Sequence, residues 1–425
     1  MKLLLRNGRV VDPAASVDEA LDVLVEDGKI ARIEPKIAAR GADVLDVAGL
    51  VVCPGFIDLH VHLREPGQEW KETVATGTAA AAAGGFAGVA CMPNTVPPND
   101  NRSVTEFILA QASAGAASRV YPIGCVTKAQ KGEELAEMGD MVAAGARAFS
   151  DDGCPVASSL LMRRALEYSR IFDLPIIDHC EDSVLAAGGV VHEGEVSTRL
   201  GLRGWPGVAE DLMVQRDLLL AEYTGGHVHI AHLSTARGAE FVRRAKKAKV
   251  AATCEVTPHH LVLTDAAVAD YDTDAKMNPP LRSEADRRAL LKALADGTVD
   301  AIATDHAPHH VDEKAVEFSR APFGIVGLET AVSLCLDRLV HAGVIGLSRL
   351  VELFTAGPAR ILRLDRGTLR PGKDADLTVL DLQRQVVVDP AKFRSKSRNT
   401  PFAGWSLRGA AVMTVVGGRI VHDAR

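Results

Sequence analysis

Eight short apolar runs alternate with stretches of helical periodicity through the middle of the chain. The runs cover residues 55–63, 86–93, 119–126, 146–151, 174–180, 227–233, 249–257 and 300–305. They are rich in Val, Ile and Ala, as strands covered on both faces are. Between and after them, residues 73–83, 103–114, 133–144, 157–169, 208–224, 236–246, 283–296 and 328–339 carry Ala and Leu at helical spacing, commonly with Gly after the last turn. Eight such units predict an α/β fold, a parallel (β/α)8 TIM barrel rather than an open sheet. A Gly-rich stretch near 190–200, with Gly188, Gly189 and Gly194, reads as a surface excursion.

The two ends of the chain have a different texture. Residues 3–6 and 9–11 flank Asn7-Gly8, a hairpin-turn dipeptide, and residues 20–25 and 29–33 flank Glu26-Asp27-Gly28. A further run covers 44–52, and short strands recur at 375–381, 386–388 and 411–421. Neither end makes a convincing core alone. Their similarity predicts one small β-sandwich domain built from both termini, with the barrel inserted between them. The expected boundaries are 1–53 and 365–425 for the two parts of the small domain and 54–364 for the barrel.

Composition narrows the function classes. The 425 residues are 47% hydrophobic and 24% charged, with a formal charge of -7. That balance describes an ordinary globular chain and offers no basic field for nucleic acid. The basic stretch 243–249 (RRAKKAK) fits a solvated helix face. Seven scattered cysteines without a CxxC pair argue against a disulfide framework and against a zinc ribbon. The N-terminus MKLLLRNGRV is too short in apolar residues for a signal segment, and no run approaches the roughly 20 residues that span a bilayer. The expected address is the cytoplasm, with no membrane association.

Five of the apolar runs end in metal-binding side chains, at the end of the strand where barrels place their chemistry. His60 and His62 are separated by one residue, so on a strand they share a face. Two imidazoles side by side in a barrel mouth are poorly satisfied without a metal; the plainer reading is a hydrogen-bonded pair. His179 and His232 end two further runs, and Asp305 ends the last. Four histidines and a carboxylate exceed what one tetrahedral Zn²⁺ needs, so two metals sharing a bridging group fit better. Asp151 and Asp152 both end the fourth run, on opposite faces, and spacing does not choose between them. His227 and His229 lie early in their run and read as structural; His259 and His260 read as loop or supporting residues, and Cys180 as packing. Arg64 suits bidentate recognition of a carboxylate. Asn94, Asn278 and His309 also cluster around these segments. Gly324 and Gly327, in the loop that opens with Pro322 and Phe323, could let backbone amides approach a ligand.

These segments resemble the amidohydrolase superfamily, and within it the bacterial dihydroorotases, over nearly the whole length. GFIDLHVHLREPG at 55–67 is similar to the family's first signature and ATDHAPH at 303–309 to its last, with ACMPNT at 90–95 and KMNPPLR at 276–282 between them. The resemblance implies two Zn²⁺ per subunit, with His60, His62 and Asp305 on the more buried ion and His179 and His232 on the more exposed one. Many relatives bridge the metals with a carboxylated lysine; the branch this chain resembles uses the second aspartate of FSDDG, which selects Asp152. The implied reaction is reversible hydrolysis of L-dihydroorotate to N-carbamoyl-L-aspartate in pyrimidine synthesis. Asp305 would move the proton. Arg64, Asn94 and His309 would hold the substrate carboxylate and Asn278 would orient the ring. The loop at Pro322, Phe323 and Gly324 would add backbone contacts. Homodimerisation and association with aspartate carbamoyltransferase are also implied. The competing readings are a hydantoinase, dihydropyrimidinase or allantoinase on the same barrel, and a noncatalytic partner of aspartate carbamoyltransferase. The intact set of ligand positions favours an enzyme.

Overall fold

A computed structural model describes residues 2–38 and 40–425. The N-terminal part supplies β1 (Lys2–Asp12), β2 (Val17–Glu26), β3 (Lys29–Glu34), β4 (Asp43–Asp46) and β5 (Val51–Pro54). Asp27 and Gly28 both take positive φ in the two-residue turn joining β2 to β3, the geometry that matches strand twist in a tight hairpin. Asn7-Gly8 behaves differently from expectation. Asn7 has φ 64, but the chain continues straight on, and the pair forms an irregularity inside β1 while β1 still pairs with β2. The expected 44–52 strand is likewise two strands, because Leu50 N turns back onto Val47 O.

The barrel follows as β6 (Phe56–Val61), β7 (Phe86–Cys91), β8 (Arg119–Pro122) and β9 (Ile176–Asp178). A two-residue pair, β10 (Val191–His192) and β11 (Gly204–Trp205), interrupts before β12 (Val228–Ile230), β13 (Ala252–Val256) and β14 (Ala301–Ile302). β6-β7-β8 and β9-β12-β13-β14 are two parallel arcs. The run at 146–151 forms no strand of its own but joins them: Phe149 bridges Gly124 on one side and Ile176 on the other, and Arg147 N donates to Pro122 O. Closure comes from Val61 bridging His306, with His62 N donating to His306 O at 2.9 Å. One buried cluster takes Ile57 and Leu59, Ala90 and Met92, Tyr121 and Ile123, then Ala148, Ile177, Ala231, Ala301 and Ala303. Side chains from seven staves around a ring can meet only inside it, so this is a packed barrel core. Ala359, Ile361 and Leu362 belong to the same cluster; they lie on and just after the helix Ala356–Ile361, which the periodicity did not single out.

β15 (Leu377–Val387), β16 (Ser406–Val416) and β17 (Arg419–Asp423) return the chain to the first sheet, in the order β17-β16-β15-β5-β1-β2-β3 with β4 also on β1. The join between the chain ends is β15 with β5, antiparallel from Leu377–Pro54 to Leu380–Val51. Two helices fall short of expectation. The helix expected over 133–144 spans only Met138–Ala144, because Thr127 bridges Leu135. The one expected over 328–339 begins at Ala331 and widens into a π turn from Leu336 to His341. The Gly-rich stretch is no free excursion: Val191 and Val196 are buried with Leu281 and Phe318. No helix among the described residues is long and apolar enough to cross a membrane.

An ion-pair network ties barrel to sheet. Asp374 meets Lys29 at 2.5 Å, Arg366 at 2.7 Å and Arg119, on β8, at 3.2 Å. The hydrogen bond from Lys29 is the largest influence on Asp374; with Arg366 it outweighs burial and holds the carboxyl down at about 2. A depressed carboxyl contributes stability above its unfolded value near 3.8 and loses it as pH falls towards 2. Because the network is partly solvated, Asp374→Asn is expected to cost about 1 kcal/mol at neutral pH. The difference in Tm between the parent and variant chains should close between pH 4 and 2 in calorimetry; a gap that stays constant would show that Asp374 is not held charged by this network.

Candidate metal centre and substrate pocket

The strand ends deliver the chemistry to one mouth of the barrel. His60, His62, Asp152, His179, His232 and Asp305 are all buried. Three overlapping groups of donors emerge: His60, His232 and Asp305; His60, His62 and Asp152; Asp152, His179 and His232. Asp152 Oδ1 lies 3.2 Å from His60 Nε2, 3.6 Å from His232 Nε2 and 3.8 Å from His179 Nδ1, and Oδ2 lies 3.6 Å from His62 Nε2. Asp305 Oδ1 is 3.1 Å from His62 Nε2 and 3.5 Å from His60 Nε2. Burial opposes ionisation of Asp152, but the charge of His60 and the close approach of His232 and His60 hold its carboxyl well below the usual range. Asp151 points elsewhere and accepts from the amides of Val126 (2.8 Å) and Thr127 (3.1 Å). Tertiary contact thus separates two neighbours that spacing could not.

The arrangement fits divalent cations. His60 Nε2 is buried and has no hydrogen-bond partner, a costly state for an imidazole nitrogen unless a ligand takes it. The opposite ring nitrogens are held by protein groups, as metal-ligating histidines require. His60 Nδ1 lies 2.9 Å from Glu255 Oε1, His62 Nδ1 2.8 Å from Asn94 Oδ1, and His179 Nε2 2.9 Å from Glu181 Oε2. Each pairing leaves the other nitrogen facing the cluster. The donor overlap, with Asp152 in two of three groups, describes a binuclear site.

Glu255, on β13, was not singled out by the sequence. It is fully buried, and its second oxygen meets His229 Nε2 at 3.3 Å. Burial opposes its charge, yet His229 and His60 prevail and hold it at about 2. His229 therefore sits beneath the ligands as a supporting residue, and His227 bonds Thr253 at 2.8 Å, as their early place in the strand suggested. His260 bridges Thr257 and the Pro279 carbonyl. Cys180 faces away from the cluster, between Asp178 and Asp217 at 3.6 Å each.

A cavity of about 310 Å³ opens over the cluster, lined in part by Arg64, Asn94, Asn278, His309, Phe323 and Gly324. Pro322 lines it as well. Arg64 is buried; burial lowers it to about 10 against the pull of Asp305 and Asp152, so it remains charged at neutral pH. Arg64, His232 and Asp305 all have positive φ (60, 31 and 47), a strain of about 1–3 kcal/mol each that clusters where strands re-aim functional side chains. His309 Nε2 donates to Phe323 O at 2.8 Å, leaving Nδ1 buried and unpartnered. Burial and then the cations Arg64, Lys71 and Lys314 push His309 to about 2, so it is neutral. Asn278 Nδ2 donates to Glu181 at 3.3 Å, and its Oδ1 has no partner.

The glycine amides are already engaged: Gly324 N donates to Lys276 O at 2.9 Å and Gly327 N to His306 Nδ1 at 3.2 Å. Gly324 is needed for a different reason. At φ 152, a Cβ would stand 2.6 Å from Ala307 O and 2.8 Å from the His309 ring. Buried Lys276 ties down the same loop by donating to the carbonyls of Phe318 and Ala321 at 2.8 and 2.7 Å. Asn399, from the C-terminal segment, donates to Ala307 O and Gly324 O at 3.0 Å and receives His309 N at 3.2 Å. No local pattern marks Asn399 in the sequence.

Comparison with known proteins agrees with this geometry. The dihydro-orotase-like family matches residues 49–238, and an amidohydrolase family matches 213–422. A dihydroorotase of Pelotomaculum thermopropionicum is 57% identical over 425 residues, covering 100% of this chain and 99% of its own. The chain belongs to the dihydroorotase family. A second family member, from Syntrophus aciditrophicus, is 53% identical with complete coverage of both chains. The L-hydantoinase of Arthrobacter aurescens superimposes with a TM-score of 0.90 over 99% of this chain and 96% of its own, at 28% identity. A dihydropyrimidinase of Brevibacillus agri, at 23% identity and TM-score 0.88 over 100% and 95%, shows the fold alone. Barrel geometry is thus shared beyond the dihydroorotase family, and sequence identity separates that family from its neighbours.

Glu255→Gln keeps the volume but can no longer accept from both imidazoles. Metal affinity measured by chelator competition is expected to fall about 10- to 100-fold with little change in fold. Unchanged affinity would show that Glu255 does not orient His60.

Proposed function

We propose that the chain hydrolyses L-dihydroorotate reversibly to N-carbamoyl-L-aspartate, as a metal-dependent cyclic amidohydrolase of pyrimidine synthesis. The observation that carries this reading is a charged, buried Arg64 in the wall of a cavity whose floor is the His/Asp cluster. A guanidinium there suits a ring substrate that bears a carboxylate. Full-length identity above 50% to dihydroorotases supports the same substrate.

His60, His62 and Asp305 would hold one ion and His179 and His232 the other, with Asp152 between them. Zn²⁺ suits this set of imidazole and carboxylate donors. When bound, such a pair of ions activates water at neutral pH and polarises the scissile carbonyl.

The protein's own groups do the rest. Arg64 binds the substrate carboxylate, with Asn94 beside it. Asn278 Oδ1, unpartnered at the cavity wall, accepts a ring N–H. His309, neutral and with Nε2–H engaged, presents Nδ1 as an acceptor, so its contact with a carboxylate requires uptake of a proton. Asp305 is held ionised by His60 and His62 against the opposing effect of burial, so its carboxylate can take the proton from the attacking water and return it to the leaving ring nitrogen. Residues 54–364 would form the catalytic unit, with 1–53 and 365–425 as its supporting sheet; the antiparallel join of β15 to β5 supports that partition.

Dihydroorotate hydrolysis should be followed on purified protein with bound metal quantified in the same sample. Chelation is expected to abolish turnover and Zn²⁺ to restore it. A folded, metal-replete chain that turns over a neutral hydantoin but not dihydroorotate would overturn the assignment. Arg64→Ala should lower kcat/KM for dihydroorotate about 100-fold or more, mostly through KM, because a desolvated charge pair is lost. A neutral hydantoin should be much less affected by the same change. Asp305→Asn is expected to reduce kcat by about 10²–10⁴.

A further inference from the structure

The carbonyls of the loop at Pro322 are engaged one by one from outside the cavity. Lys276 Nζ donates to Ala321 O at 2.7 Å, Lys314 Nζ to Pro322 O at 3.0 Å and His309 Nε2 to Phe323 O at 2.8 Å. Gly324 O accepts from Lys314 at 3.2 Å and from Asn399 at 3.0 Å. Ala321 N donates to Glu317 O, Gly324 N donates to Lys276 O, and Pro322 has no N–H. From 321 to 324, Phe323 N is the one polar backbone group without a partner among the described residues. Lys314, which ends the short helix Val311–Lys314, is buried. It lines a neighbouring cavity of about 190 Å³ with His309 and Asn399, not the one over the His/Asp cluster. Burial lowers its ammonium to about 8 against the pull of Asp274, so it is charged at neutral pH.

Pro322 O and Phe323 N belong to one peptide group, which is planar and trans. Its C=O and N–H therefore point in opposite directions. The oxygen points to Lys314, so the N–H points away from it, on the side of the cavity that Pro322 and Phe323 line. We propose that Lys314 is a positioning residue for substrate binding: without touching substrate, its ammonium aims the Phe323 N–H into the cavity and strengthens it as a donor to an oxygen of the ring substrate. The inference rests on the cyclic-amide reading above. A cation hydrogen-bonded to a peptide oxygen polarises the whole group, and its N–H becomes the better donor. Because Lys314 holds the carbonyls on both sides of Phe323, the peptide cannot turn its N–H away without breaking one of these bonds. Lys276 supplies the contrast. The peptides it caps at Phe318 and Ser319 end in the amides of Ser319 and Arg320, which already donate to Glu317, and the one at Ala321 ends in a proline. Lys276 thus holds the shape of the loop, whereas Lys314 acts on the peptide with a donor to spare.

Selective isotope labelling reads this one peptide. With carbonyl-labelled proline and nitrogen-labelled phenylalanine, magnetic resonance cross-peaks arise from Pro322-Phe323 and Pro401-Phe402, the two Pro-Phe pairs in the chain. Adding an equilibrated mixture of dihydroorotate and N-carbamoyl-L-aspartate to the parent holoenzyme should shift the Phe323 peak and leave that of Phe402, whose amide donates to Thr400 Oγ1 at 3.4 Å. A Phe323 peak unmoved by a substrate the enzyme turns over overturns the proposal, and this reading needs no substitution. In the ligand-free protein, Lys314→Met should move the Phe323 proton upfield; an unchanged peak also overturns the proposal. In kinetics, Lys314→Met is expected to raise KM for dihydroorotate about 10-fold, with kcat per bound metal nearly unchanged. A fall in kcat at constant KM, the mark of a partly unfolded population, or no change in either, counts against a positioning role. A parent that turns over no dihydroorotate would overturn the functional reading instead, and the ligand-free shift would still decide whether Lys314 polarises this peptide.

Discussion

Everything at the barrel mouth depends on one buried carboxylate surrounded by imidazoles. Asp152 lies within 3.2–3.8 Å of a ring nitrogen of each of four histidines drawn from three different strand ends. A buried anion is tolerable only when compensated, and His60 Nε2, buried without a hydrogen-bond partner, needs one of its own. Cations at this point answer both requirements at once. The geometry therefore makes metal binding part of the site's stability as well as of its chemistry.

Such a cluster works only if its members are aimed. Glu255, Asn94 and Glu181 each hold the far nitrogen of one histidine, so ring orientation is set by protein groups. Asn94 faces two ways: Oδ1 accepts from His62 while Nδ2 reaches Asp152 at 3.4 Å. A residue expected to recognise substrate is thus also tied to the His/Asp cluster, which couples the two halves of the site. Backbone strain contributes as well, since Arg64, His232 and Asp305 reach their positions through left-handed conformations at strand ends.

The small sheet does more than join the chain ends. Between β15 and β16 the chain travels back to the barrel mouth, where Asn399 fastens Ala307, His309 and Gly324, and Ser395 bonds Glu72. Lys276 secures the same loop from the other side. The loop in the cavity wall is consequently held by a segment 75 to 92 residues further along the chain, and a shift of the sheet against the barrel would be felt at His309. The Asp374 network with Lys29, Arg119 and Arg366 restrains that shift.

Periodicity and spacing were enough for the barrel, the sheet from two termini and five of the six clustered side chains, because each is written locally: apolar runs of strand length, helix intervals, and histidines or an aspartate at run ends. Asn7-Gly8 misled because a turn dipeptide can equally be absorbed as an irregularity within a long strand when the partner strand continues. Residue type alone determined which groups could bind metal, move protons or hold a carboxylate. Spacing left Asp151 and Asp152 open and the resemblance selected Asp152, a choice with which the fold agrees; the recruitment of Glu255 and Asn399 and the engagement of the Gly324 amide were decided only by the folded structure. They depend on which group lies across the barrel from which, a relation between distant segments that no local spacing encodes.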